Sequence, residues 1–169
     1  WLIETAKIDI YDINAKVALN TAVEETWFCP LTDSLRINQF YHLNNIPAKN
    51  DYRPDWRSML KFGDEQKIKD YIVEQNIKRI VLLEDFIGNG GQVSDAVDFA
   101  IRLLPKVPLL IIPLVICPNG VENSKTLSAK HSNVTISPVI SLPEVNFVNH
   151  DLKPDDSEIC VKVRELAVR

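Results

Sequence analysis

"VLLEDFIGNGGQVSDA", residues Val81–Ala96, decides how this chain folds. An apolar run meets two adjacent acids, Glu84 and Asp85, and Gly88, Gly90 and Gly91 follow at once. Beyond them Val93, Ala96, Val97, Ala100, Ile101 and Leu104 recur at the three- and four-residue spacing of one helix face. The stretch reads as a strand over 78–84, a glycine-rich turn, and a helix over 92–104.

The same alternation spreads outward. Pro108–Cys117 is an all-apolar strand, Val134–Leu142 a third, and Thr26–Leu31 a shorter one upstream. Helical periodicity covers Ile3 to about Ala22, Asp64–Asn76, the short stretch Asn123–Lys130 and Ser157–Val168, with Ser157 as its N-cap. Arg36–Tyr52 is polar and aromatic and takes no assignment, and Pro143–Asp156 reads as loop. Apolar strands alternating with helices are parallel strands covered on both faces. The expected class is α/β, an open, mostly parallel sheet with helices on both faces. One domain spans 1–169, and a start at Trp1 and a stop inside a helix read as a segment of a longer protein.

Composition narrows the function. At 169 residues the chain can bury a real core, and 46% hydrophobic with 25% charged residues is ordinary for a globular protein. A net charge of −4 advertises no basic face for nucleic acid. Cys29, Cys117 and Cys160 are too dispersed for a zinc site or a disulfide framework and read as reduced thiols. Prolines 105, 108 and 113 interrupt the most apolar region, so no run reaches the ~18 residues of a membrane span. No signal peptide is evident. A cytoplasmic protein without membrane attachment is expected.

In an open α/β sheet, ligands sit beyond the carboxyl ends of the strands. Glu84 and Asp85 fall at such an end. Glycines there let successive amides turn inward as an anion-binding nest, and the following helix adds the positive end of its dipole. Carboxylates for hydroxyls beside amides for a phosphate suit a ribose 5-phosphate. Competing motifs fit less well. No lysine follows the glycines, as a phosphate-loop ATPase requires, and Val93 stands where a dinucleotide fingerprint starting at Gly88 needs glycine. A methyltransferase-type loop needs glycine where Ile87 stands.

One pattern matches: adjacent acids, Phe86-Ile87-Gly88-Asn89, then Gly90-Gly91. This resembles the phosphoribosyl-pyrophosphate loop of type I phosphoribosyltransferases. "TWFCPLTDSLRINQFYHLNN" (Thr26–Asn45) and "RPDWRSMLKFGDEQ" (Arg53–Gln66) are similar to the divergent PRTase-CE domain of bacterial conflict systems, including retron-type antiphage loci. The resemblance implies a type I phosphoribosyltransferase-like fold and a small-molecule phosphoribosyl ligand. Glu84 and Asp85 would hold the ribose hydroxyls, and Gly88, Asn89, Gly90, Gly91 and Gln92 would cradle the 5-phosphate. Gln92 replaces the usual threonine, and Ser94 is the nearby hydroxyl that would substitute for it. It also implies Mg2+ carried by pyrophosphate rather than by direct protein ligands, and a reverse transcriptase and nucleic acid as partners of a retron-type complex. Asp33, Ser34 and Arg36, with Asn119 after the second apolar strand, are candidates for the pyrophosphate or acceptor side. A hydrogen-bonded surface loop and an ordinary Pro-Asn-Gly turn are the plainer readings of these residues. Three functions stay open: base transfer, a catalytically degenerate nucleotide-sensing or assembly module, and a nucleotide-cleaving toxin that uses water as acceptor.

Overall fold

The computed structural model describes residues 1–32, 35–46, 64–144 and 157–167. Its centre is a parallel sheet of β1 (Thr26–Pro30), β2 (Arg79–Ile87), β3 (Leu109–Ile116), β4 (Val134–Ile136) and β5 (Ile140–Ser141). The order is β1-β2-β3-β4, and β5 pairs with β3 further along the edge that β4 begins. Among the described helices, α1 (Leu2–Thr5) and α2 (Ala15–Glu24) precede the sheet, and α3 (Ile37–Leu43) and α4 (Glu65–Glu74) lie between β1 and β2. Helix α5 (Gly91–Leu103) joins β2 to β3, α6 (Pro118–Lys130) joins β3 to β4, and α7 (Glu158–Ala167) follows. The expected α/β architecture is thus present.

Strand alternation divides the core in two. Ile80 and Leu82 face Ile68 and Ile72 of α4, Val93 and Val97 of α5, and Leu127 of α6. Val81 and Leu83 face Phe28, Tyr41 and Leu110, with Trp1, Val23 and Phe40 packed against them. Consecutive right-handed crossovers in a sheet of sequential order carry their helices to one face, and α5 and α6 do share one. Each large apolar side chain buried here contributes about 1.5–3 kcal/mol.

Four elements depart from expectation. Strand β2 runs three residues past the expected end at Glu84, because the acids do not interrupt pairing: Glu84 pairs with Pro113, Phe86 with Val115 and Ile87 with Ile116. The first helix is broken. Lys7 takes a left-handed φ of 54°, and the carboxylates of Asp9 and Asp12 accept from the amides of Tyr11 and Asn14, which fixes turns in place of helix. Val134–Leu142 is two short strands rather than one, with Pro138, which lacks an N–H, between them. Helix α6 starts at Pro118 and not at Asn123, since proline at a first helical position costs no hydrogen bond.

At the amino end of the sheet, Glu25 closes the gap between β1 and β2. Its carbonyl accepts from the amides of Lys78 (2.8 Å) and Arg79 (3.3 Å). Its carboxylate pairs with Lys78 Nζ and lies 3.6 Å from Arg79 Nη1. Burial pushes the Glu25 carboxyl up, but the Lys78 hydrogen bond and the charges of Lys78 and Arg79 outweigh it and hold it below its ordinary value. Among the described residues no helix is long and apolar enough to cross a membrane.

Candidate functional site

The carboxyl ends of β1 and β2 open a crevice. Beyond β1 the chain reaches α3, whose Tyr41 packs on the face of Phe28 and Val81, and its hydroxyl donates to Phe28 O at 2.8 Å. Beyond β2 the chain enters α5 on the opposite face. Adjacent strands whose exits diverge leave a cleft between their ends, the usual ligand position in such sheets. A cleft of about 270 Å³ lies there, lined by Leu31, Glu84, Phe86, Ile87, Gly88, Asn89, Gly90, Gln92 and Val93. That is just under the roughly 300–1,000 Å³ of typical small-molecule sites.

One wall is acidic. Glu84 is 2% exposed, and a carboxylate so buried requires hydrogen-bond donors. Thr32, just beyond β1, donates its hydroxyl to Glu84 Oε1 at 2.8 Å, and the Asp85 amide approaches the same oxygen at 3.3 Å. Asp85 is half-buried and, by strand alternation, projects from the other side of β2. It does not line the cleft, whereas Glu84 does.

The other wall is backbone. Gly90 precedes α5 with φ of 84°, in the left-handed region, and no side chain caps the helix there. Asn89 Oδ1 accepts from the Gly91 amide at 3.1 Å. The Gln92 and Val93 amides belong to the first turn, where no intrahelical acceptor exists. They add to the positive end of a 13-residue helix at the cleft. Gln92 itself is exposed. Ser94, expected to offer its hydroxyl to a phosphate, instead directs it to Gly90 O at 3.2 Å and takes a hydrogen bond from Asn123 Nδ2 at 3.1 Å. Neither Ser94 nor Gly91 lines the cleft.

The remaining candidates lie apart. Arg36 precedes α3 and is exposed. Asp33 and Ser34 lie outside the described residues. Asn119 faces a neighbouring depression of about 540 Å³, shared with Pro118, Glu122, Ser141 and Glu144. Burial pushes the Cys117 thiol up, which disfavours the thiolate a nucleophile needs. Among the described residues no cluster of histidine, cysteine and carboxylates is placed to hold a metal ion.

One cleft thus joins the Glu84 carboxylate to the amides that open α5. A profile of the PRTase-CE family matches residues 8–162, most of the chain. The chain belongs to the PRTase-CE family. No curated protein and no solved structure matches it. Membership makes it a phosphoribosyltransferase-like protein, and the parallel sheet flanked by helices is consistent with that fold. Two polar residues around the crevice escaped the sequence reading. Thr32 lies 52 positions from the Glu84 it bonds, and Asn123 lies 29 from Ser94, so neither contact has a local signature.

Proposed function

We propose that the cleft binds a ribose 5-phosphate moiety, as phosphoribosyl pyrophosphate or a nucleotide. The observation that carries this reading is that one cleft joins the buried Glu84 carboxylate to the uncapped amino end of α5. Carboxylate oxygens accept from sugar hydroxyls, and the Gln92 and Val93 amides with the helix dipole favour a phosphate dianion. The glycines let a ligand approach the backbone where a side chain would stand in the way.

If transfer occurs, pyrophosphate leaves ribose carbon one as a nitrogen nucleophile bonds to it. The sugar carries positive charge in between, and the Glu84 carboxylate at the cleft would oppose that charge. In such a transfer magnesium would arrive with the pyrophosphate and supply charge neutralisation there. A role in bacterial antiphage defence, beside a reverse transcriptase and its nucleic acid, is the setting the family resemblance implies. Phage plating with a Glu84→Gln allele tests it.

A second reading has its own support. Gln92 replaces a hydroxyl residue, and Ser94 spends its hydroxyl within the fold. A site so altered would bind a nucleotide without transferring it. Analysis of reaction products separates transfer, hydrolysis by water and plain binding.

Thermal unfolding with magnesium decides the binding claim. Phosphoribosyl pyrophosphate at a hundred times its dissociation constant adds about 2.7 kcal/mol to the wild type. Glu84→Gln, which keeps an oxygen for the Thr32 hydroxyl, should fold normally and lose most of that gain. Equal ligand stabilisation in both proteins removes Glu84 from the site, and no stabilisation in either removes the phosphoribosyl reading.

A further inference from the structure

Beyond its own hydrogen bonds, the glycine loop takes support from α6. Asn123 Nδ2 donates to Ser94 Oγ at 3.1 Å and approaches the carbonyl of Asn89 at 3.4 Å. One side-chain amide thus touches both the loop and the first turn of α5. The fit is close. A Cβ on Gly90 would stand 2.7 Å from Asn123 Nδ2. Three residues earlier on the same helix, Gly120 presses on the loop from beneath, where a Cβ would meet Gly88 O at 2.9 Å. Positions three apart lie on one helix face, so Gly120 and Asn123 together form a seat for Gly88–Ser94.

We infer that Asn123 is a positioning residue: its side-chain amide holds the glycine loop in the shape that presents the α5 amides to the ligand. The inference rests on the phosphoribosyl reading for the ligand, but not for the clamp. Glycine takes the left-handed region as readily as others, so Gly90 does not by itself fix the path of the loop. Such a loop needs an outside contact to exclude other conformations, and preorganisation of that kind governs affinity. Asn123 touches no ligand, and it acts through Ser94 and the Asn89 carbonyl.

The test is Asn123→Ala, which removes the clamp while keeping a good helix former in α6. Asn123→Asp serves as a near-isosteric partner that loses the donor. In the ligand-free wild type the backbone amide order parameters of Gly88–Gly91 should be near the rigid value of about 0.85, and in both variants they should fall toward about 0.6 or below. Those of β2 and β3 should not move. Affinity for phosphoribosyl pyrophosphate with magnesium should drop about tenfold in Asn123→Ala, the effect of two modest hydrogen bonds. The Asn123→Asp drop should be larger, because the new charge repels the phosphate. Unchanged order parameters overturn the inference, as does unchanged affinity in a loosened loop. Loosening that extends equally through β2 and β3 also overturns it, since Asn123 would then be only structural. If the wild type binds no phosphoribosyl pyrophosphate, the functional reading fails, and the order parameters alone decide the clamp.

Discussion

Each end of β2 meets a glutamate, Glu25 from just before β1 and Glu84 from β2 itself, and their surroundings differ. At the amino end Glu25 sits against Lys78 and Arg79, its charge is balanced, and its backbone carbonyl ties β2 in place. At the carboxyl end Glu84 takes a threonine hydroxyl and lines a cleft beside open amides. The first arrangement stabilises the sheet and leaves nothing for a ligand. The second holds a carboxylate in a fixed place and keeps it at a cleft. A balanced ion pair and an open cleft therefore occupy opposite ends of one strand.

The largest effect should come from Gly120→Val. Its side chain would meet Ile116, Ile87 and the Gly88 carbonyl, two buried side chains and one backbone atom. Overpacking of this kind costs about 3 kcal/mol. Chemical denaturation measures it, and a cost within about 0.5 kcal/mol, as at an ordinary surface site, means α6 does not press on the loop.

Glu25→Ala is next. It leaves Arg79, only 5% exposed, without its carboxylate, at a cost of about 1.5 kcal/mol. The pH dependence has a definite sign. The folded Glu25 carboxyl lies below its ordinary 4.5, so its contribution is complete above that pH and is lost as pH falls through the folded value. The variant should therefore show a flatter acid limb than the wild type, with no change in phosphoribosyl affinity. A matching loss of affinity would erase the contrast between the two ends.

Thr32→Val is the mildest change. It removes the hydroxyl that donates to Glu84 and should cost about 1 kcal/mol, with a clear loss of ligand affinity. An unaltered affinity would mean that Glu84 needs no tether to β1.

Much of the architecture was legible because burial writes itself into the sequence. The apolar runs of β1 and β3 and the spacing of Val93, Val97 and Ala100 in α5 required no tertiary knowledge. Errors arose where a local signal had two meanings. Glu84-Asp85 resembled a strand end, yet pairing with β3 carries the strand to Ile87. Pro118-Asn119-Gly120 resembled a turn, yet it opens a helix. At the site, the glycine loop was readable from its spacing. Ser94 was not, because its hydroxyl is claimed by a helix that starts 24 residues later in the chain, counting from 94 to 118. Where a side chain bonds across the fold, sequence alone names one partner and not the other.

Gly90 sets the terms on which this loop can change over generations. Any replacement there meets two independent obstacles, a left-handed backbone and an amide nitrogen 2.7 Å from where its Cβ would sit. Altering Asn123 lifts the second and leaves the first. No single step opens the position. Asn89 and Gln92, exposed beside it, meet no such bar. The backbone path of the loop is thus closed to drift, while the side chains it presents remain free to follow a new ligand.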